Sequence, residues 1–458
     1  MTNTPTVDPQ TLLNKSPPCI MHIDLNSCFA IIEQQANRLL RGRPVGIAAY
    51  DTPKGFILAA SYEAKAKGIK LGVNVEQSRS MCPGIVIMAP DPAKYREAHR
   101  LFKELLLEYT PDVIPKSIDE FVLNMSSSPA LRQRTDNGMS HNDAILDIGR
   151  MMKQKIRERL GEWVTVNVGI GTNRFLAKYA AGFGKPDGMT LIDHISLRSM
   201  YEGMKLVDLP GINTRYRARL RIHGIYTPLD FLEADLQVLK MQVFKSIVGY
   251  YWYLQLRGHE IATKESKRQS IGHQYALSEK TMDMDKLEPL LLKLCEKTGR
   301  RLRKNNLYAQ GIHLYLGFQS DYPSIDGPAS FENMHSIKSW HHGEKVFHRL
   351  YSTSDIYEAA KKLLLQAEIF NNVKLVAVTV FELSDWDPVQ TSLFEQNESW
   401  GRDIGGSTYR SYDTKKRISD SVDSINNRYG EFVITPAAMM DMQGTILDRI
   451  AFGQVRDM

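Results

Sequence analysis

Cysteine is scarce in this chain, and the four residues present, Cys19, Cys28, Cys82 and Cys295, show no paired spacing. Neither a disulfide framework nor a cysteine zinc site is supported, and reduced thiols in a cytoplasmic protein are expected. Long apolar runs are missing as well: no stretch approaches the roughly 18 residues of a membrane span. Residues 1–17 have neither the basic start nor the apolar middle of a secretory signal and read as a mobile, disordered tail. There is no internal repeat. What is there suits a globular protein, with 43% hydrophobic and 24% charged residues over 458 positions. That length implies several packed units rather than one core. A formal net charge of +6 permits a polyanionic partner without requiring one.

The run Cys19-Ile-Met-His-Ile-Asp24 is apolar and ends on an acid, after which Asn26 and Ser27 offer caps for a helix over residues 29–35. Strand-like runs flank the turn at 51–55, and an Ala- and Lys-rich helical stretch follows. Residues 95–109 predict an amphipathic helix, and 112–125 a strand, a turn around Lys116-Ser117 and a second strand. Residues 126–142 are polar and predict a surface loop before a helix ending near Leu160. Residues 164–170 read as a strand, with Asn173 capping the next helix. Beyond Ile192 come short helices broken at Pro210-Gly211 and His223-Gly224, then a basic linker at 261–270. Strands at 270–277, 311–316 and 373–383 alternate with helices at 287–305 and 355–367, an α/β unit with helices on one sheet face. His341-His342 read as loop residues. After Asp385 the chain is polar, with a short helix near 421–428. The fold class is α+β, multidomain.

Three acids hold the chemical interest. Phosphoryl transfer with two divalent ions sets the ions roughly 4 Å apart, and hard magnesium ions take carboxylate oxygens. Asp24, at a strand end, and Asp119-Glu120, at a hairpin, converge if their strands lie side by side. Neighbours on a regular strand point to opposite faces. Asp119 and Glu120 therefore share a site only where a turn or bulge breaks the alternation. Taken alone they read as exposed charges. Gly169-Ile-Gly171-Thr-Asn-Arg174 lacks the third glycine of a dinucleotide fingerprint, and that reading is rejected.

The strings MHIDLNSCFAIIEQ, SYEAKAKGIKLG, PDPAKYREAHRLF, SIDEFVLN, VGIGTNRFLAKYAAGFGKPDGMTLI and VDLPGINTRYRARLRIHGIYTPLDFL resemble, in order, the motifs of Y-family translesion DNA polymerases. The likeness is to the bacterial polymerase IV and polymerase V catalytic-subunit types and extends over about residues 18 to 385. It implies a right-hand polymerase: palm at 18–28 and 91–190, fingers at 29–90, and a helical thumb with a helix-hairpin-helix at 191–260. The linker at 261–270, a little finger at 271–385 and a tail at 386–458 follow. The implied activity is error-prone, template-directed translesion synthesis, without proofreading, from dNTP onto a primer 3′ end.

The same resemblance makes Asp24, Asp119, Glu120 and the Leu25 carbonyl the ligands of two Mg²⁺ ions. It puts Phe29 in place of the steric gate beside Cys28, and Tyr62, Lys65 and Lys185 on the triphosphate. Phe56 and Leu58 would cover the nascent base pair. Gly211 and Gly224 would offer backbone N–H groups to primer-template DNA, with Lys264, Lys267, Arg268, Arg300, Arg301, Arg303 and Lys304 near its phosphates. Gln390-Thr-Ser-Leu393-Phe394 resembles the peptide that docks on the bacterial sliding clamp. An accessory subunit or recombinase activator is a further expected partner of a chain taken as monomeric and unattached to membrane. Lys65 replaces a frequent arginine, and Asn26 and Cys28 a frequent acid and aromatic, but no carboxylate is lost. A catalytically inactive mutasome scaffold of the same fold is the alternative, and retention of all three acids argues against it.

Overall fold

Alternation along the first strand, β1 (Ile20–Leu25), determines what faces the core: Met21, Ile23 and Leu25 join the main apolar cluster, while Ile20 packs on the opposite side. The computed structural model describes residues 13–53, 55–261, 268–319, 339–385, 407–430, 432–442 and 445–446, in two compact units that meet in sequence near residue 263.

In the first unit β1 leads to α1 (Cys28–Ala36), then β2 (Val45–Ala48), β3 (Ile57–Ala60), α2 (Tyr62–Ala66), α3 (Val75–Met81) and β4 (Val86–Met88). Next come α4 (Pro92–Leu107), β5 (Val113–Pro115), β6 (Glu120–Asn124), α5 (Pro129–Asp136), α6 (His141–Leu160), β7 (Val166–Gly171), α7 (Arg174–Ala180) and β8 (Met189–Leu191). Five strands form one sheet in the order β5-β6-β1-β7-β8, with β1 antiparallel to both neighbours. Phe102 and Leu105 of α4, with Ile148 and Met152 of α6, bury the face that carries Met21 and Ile23. On the other face α7 lies against backbone: a Cβ on Gly169 would sit 2.0 Å from the Ala177 carbonyl oxygen. The glycine pair 169 and 171 thus serves close helix-on-sheet packing. A smaller sheet, β3-β2-β4, closes over Ile57, Val75 and Ile85.

Short helices complete this unit: α8 (Leu197–Tyr201), α9 (Thr214–Ile222), α10 (Pro228–Glu233) and α11 (Val248–Leu256). Their core, including Leu220, Phe231 and Trp252, also takes in Leu176 and Tyr179 of α7. The chain leaving α11 is fastened to the start of α7, where Thr172 Oγ1 donates to the Gly258 carbonyl at 2.8 Å and Asn173 Nδ2 to that of His259 at 2.8 Å. Asn14, in the stretch expected as a tail, joins this clasp through its backbone N–H to the Arg257 carbonyl at 2.9 Å.

The second unit comprises β9 (Ser270–Thr281), α12 (Met284–Lys304), β10 (Leu307–Phe318), β11 (Ser339–Leu350), α13 (Thr353–Leu365), β12 (Val373–Asp385) and α14 (Ser407–Tyr429). Its antiparallel sheet runs β11-β10-β12-β9. Helices α12 and α13 cover one face, and Leu291, Leu294, Ile312, Leu314, Val378 and Leu363 are buried there.

Several elements differ from expectation. Residues 129–136 form α5 rather than loop, with Ser128 capping it, Pro129 in its first turn and Arg134 bonding Asp147 of α6 at 2.9 Å. His341 and His342 belong to β11, an edge strand whose polar character reflects having one neighbour rather than two. Ser27 does not cap α1 with its side chain; it takes a left-handed conformation, φ 50°, and its carbonyl accepts from the Ile31 N–H. Strand β9 begins at Ser270, where a strand was expected, and runs on to Thr281 rather than stopping at 277.

The largest difference is α14, far longer than the helix expected at 421–428, which packs on α12 and α13 through polar groups. Asp423 takes Arg303 through both oxygens, at 2.6 and 3.0 Å, Asp420 accepts from the Tyr351 hydroxyl at 2.7 Å, and Lys415 reaches Asp355 at 2.7 Å. Arg303, expected beside DNA, is buried in this network. Arg300 turns to Asn427 and Arg301 to the Gly272 carbonyl. Lys264 and Lys267 lie outside the described residues. Removing one partner of a buried ion pair strands the other charge, so Asp423→Ala should destabilise the second unit by about 3–5 kcal/mol. Urea titration followed by a probe on that unit measures the loss, and an unchanged midpoint would contradict the packing.

Candidate active site

The site grows from the pairing of β1 with β6, in which Asp24 and Glu120 are direct cross-strand partners. Facing residues in antiparallel strands put their side chains on one face, here the face that also carries His22 and meets α7. Asp119 escapes the alternation because it precedes β6, in the turn joining it to β5. There the Lys116 N–H closes on the Glu120 carbonyl at 2.8 Å, and the Asp119 carbonyl accepts from the Leu25 N–H at 2.9 Å. The geometric requirement set by the sequence is thus met by a turn.

Each acid is held by a different group. Lys185 binds Asp24 Oδ2; Lys178 donates to Glu120 Oε2 at 2.7 Å; the Ser117 hydroxyl donates to Asp119 Oδ1 at 2.6 Å. Burial pushes the Asp24 carboxyl above the usual carboxylate range, with Lys185 opposing and Glu120 adding to the rise. Burial also raises Asp119, helped by the charges of Asp24 and Glu120 and opposed by Ser117. For Glu120 burial is outweighed by Lys178 and its neighbours, and the carboxyl stays below its ordinary value. Beneath it His22 is buried, with its Nε2 3.7 Å from Glu120 Oε2, and burial brings its pKa to about 4, so the ring is neutral at pH 7.

The other expected site residues surround these acids. Cys28 is buried, its thiol pushed well up by burial and by the charges of Asp119 and Asp24. Phe29 has no exposed surface and stacks on Tyr95, with ring centroids 4.4 Å apart. Tyr62 donates to Asn26 Oδ1 at 3.3 Å, and burial, then the charge of Asp24, pushes its phenol up to about 12. Lys65 donates to Ser27 Oγ at 2.7 Å and lies over the Tyr62 ring; burial, then Lys185, lowers its pKa. Phe56 is exposed and bridges to Asn74.

Farther off, Gly211 and Gly224 both adopt left-handed backbone, with φ 96° and 77°. Gly224 ends α9: its N–H bonds the Arg221 carbonyl while that of Ile225 bonds Leu220, a Schellman pair in which Leu220 and Ile225 are buried. Gln390, Leu393 and Phe394 lie outside the described residues.

Lys178, His22 and Ser117 were not singled out from sequence. Lys178 lay within a quoted motif, one turn after Arg174 on a helix whose Asn173 cap was recognised. Its meaning needed the glycine contact that draws α7 onto the sheet.

The donor set suits a hard divalent cation: three carboxylates, two of them with pKa raised by burial beside neighbouring acids, and main-chain oxygens beside them. Among the described residues no three His, Cys, Asp or Glu side chains already form a geometry that could hold an ion; lysine ammonium groups engage two of the acids instead. No helix among the described residues is long and apolar enough to cross a membrane.

Residues 23–182 match the impB/mucB/samB family and residues 268–393 its C-terminal domain. DNA polymerase IV of Moorella thermoacetica is 30% identical over 434 residues, 93% of this chain and 97% of that protein. DNA polymerase IV of Alkaliphilus oremlandii is 28% identical, over 92% and 99%. In fold, the chain resembles a Y-family DNA polymerase chimera of Dbh and Dpo4, with TM-score 0.65 and 22% identity over 80% of this chain and 99% of that one. An insertion ternary complex of Dbh DNA polymerase gives TM-score 0.50 and 22% identity over 79% and 98%.

The electrostatics make a testable statement about stability. A raised carboxyl pKa means that the fold disfavours the ionised form, a cost that appears as pH rises from the unfolded value through the raised one. The lowered Glu120 works oppositely, and its contribution is lost as pH falls through its folded value. In metal-free protein at pH 7, Asp24→Asn should therefore raise the thermal midpoint and Glu120→Gln lower it. Calorimetry at pH 7 and again near pH 4, where the two differences shrink, reads both signs.

Proposed function

The chain belongs to the impB/mucB/samB family and is a Y-family translesion DNA polymerase, a DNA-directed enzyme; from that premise we propose that Asp24, Asp119 and Glu120 are its metal-binding carboxylates. The observation that carries this reading is the register of β1 against β6, which pairs Asp24 with Glu120 while the hairpin turn supplies Asp119. With the Leu25 carbonyl they would hold two Mg²⁺ ions, which supply activation of the primer 3′-oxygen and charge stabilisation at the leaving pyrophosphate. Tyr62, Lys65 and Lys185 bind and orient the triphosphate, a role suited to the clustering of Lys65 and Lys185 near Asp24. Lys185 exchanges its bond to Asp24 for a phosphate oxygen when nucleotide is present.

Phe29, at the base of this group, excludes the ribose 2′-hydroxyl. Its stacking on Tyr95 gives the wall its rigidity. Residues 18–28 and 91–190 act as palm, 29–90 as fingers, 191–260 as thumb and 271–385 as little finger. Gly211, in the turn before α9, offers its N–H to a DNA phosphate, while Gly224 sets where α9 stops. No segment is assigned to proofreading, and Gln390 to Phe394 recruit the sliding clamp, which raises the effective concentration at primer ends. The inactive scaffold has no support: all three acids are present and share one face or its adjoining turn.

Primer extension with Mg²⁺ tests the assignment. Asp119→Ala/Glu120→Ala should lose at least about 10³-fold in rate, the scale of several kcal/mol of metal-borne stabilisation. Equal extension by both proteins, or none by the wild type, removes it. Phe29→Ala should admit ribonucleotides, measured as the ratio of rNTP to dNTP incorporation. Because Phe29 is core as well as gate, that variant should also lose about 3–5 kcal/mol of stability, and the assay belongs well below its melting temperature.

A further inference from the structure

One buried polar side chain at the site has no bond to account for it. His22 is 2% exposed, and neither ring nitrogen makes a hydrogen bond to any described residue. Its place is fixed, because it lies mid-strand in β1 with a ladder on each side, opposite Val122 of β6 and Gly169 of β7. Neither neighbour carries a polar side chain, and Ile20, Val122 and Ala177 form an apolar cluster on the same face. A ring so placed gives up the hydrogen bonds that water offers it in the unfolded chain. The polar group in reach is Glu120, whose Oε2 lies 3.7 Å from His22 Nε2, just beyond hydrogen-bond range.

The three acids also differ in how firmly they are held. Ser117, from the same turn, fixes Asp119, and Lys185 engages Asp24. Glu120 has Lys178, a long side chain still 45% exposed, and a lysine gives up much rotamer freedom to stay in one place. A neutral imidazole carries one N–H, and a carboxylate oxygen can accept from two donors. The terminal torsion of a glutamate is soft. A small rotation there brings Oε2 to His22 while Lys178 keeps its bond.

We infer that His22 is a positioning residue for Glu120: its Nε2–H takes Oε2 when a divalent ion takes Oε1. The inference rests on the carboxylate assignment given above. Ion and ring then restrain the carboxylate from opposite ends, the way outer groups orient metal ligands. Loading the site restores the bond that burial withheld, so His22 favours the loaded state over the empty one.

The test is Mn²⁺ binding to the full chain, followed by electron paramagnetic resonance with a 3′-dideoxy primer-template and the next dNTP, so that no turnover occurs. It is read beside the thermal midpoint of the metal-free protein. His22→Leu should bind Mn²⁺ about 10-fold more weakly, yet melt about 2–4 °C higher without metal because the buried donor is gone. His22→Gln, which keeps an N–H, should recover most of the affinity. A packing role alone would lower both readouts together, so weaker binding with a lower midpoint overturns the inference. Unchanged Mn²⁺ affinity in His22→Leu, or an equal loss in His22→Gln, overturns it as well. If His22→Leu does not fold, His22→Phe carries both readouts. Glu120→Gln separates the two readings. Should it bind Mn²⁺ as the wild type does, or should the wild type bind none, the carboxylate assignment fails and takes this inference with it. Should it lose Mn²⁺ while His22→Leu matches the wild type, the assignment stands and the role of His22 alone is removed.

Discussion

Everything at the site depends on one pairing, the antiparallel ladder that puts Asp24 opposite Glu120. A shift of one residue would send His22, Asp24 and their partners to the face packed on α4 and α6, and Met21, Ile23 and Leu25 to the face that meets α7 and carries the acids. The buried cluster around α4 and α6 is what forbids that shift. Hydrophobic burial on one face of the sheet therefore fixes the spacing of charges on the other, where Lys178 and its neighbours more than offset burial at Glu120 but Lys185 does not at Asp24. A Leu25 N–H to Asp119 carbonyl bond carries the ladder one step past the regular strand and ties the third acid to the first two.

Absence of side chains matters as much as their presence. Gly169 and Gly171 leave room for α7 to touch the sheet backbone, which brings Lys178 within 2.7 Å of Glu120. The same helix lends Leu176 and Tyr179 to the core of the short helices and is gripped at its start by the chain that leaves them. A single seven-residue helix thus links sheet, helical layer and acids mechanically.

The strands were legible because apolar alternation and turn residues declare them: β1, the β5–β6 hairpin, β7 and the Asn173 cap follow directly from local pattern, whereas the three acids, which alone read as exposed charges, were singled out by the family resemblance. What stayed hidden lacked an apolar signature. Helix α5 buries little beyond Leu131, edge strand β11 alternates poorly because one side meets solvent, and α14 docks through Lys415, Asp420 and Asp423. Arg303 shows the limit most clearly, since a basic residue at a helix end reads as a phosphate contact until its distant carboxylate is located. Phe29 tells the reverse story: a residue chosen for function proves to be core, fully buried and stacked on Tyr95.

The bond between Arg303 and Asp423 spans 120 residues of chain, and that separation bears on how the protein is made. At about 5–20 residues per second of synthesis, on the order of ten seconds pass between the emergence of the arginine and that of its carboxylate. For that interval α12 carries a cation that belongs in a dry interior, so the second unit cannot complete its packing until α14 has left the ribosome. Helix α14 sets the moment at which the second unit can close over Arg303.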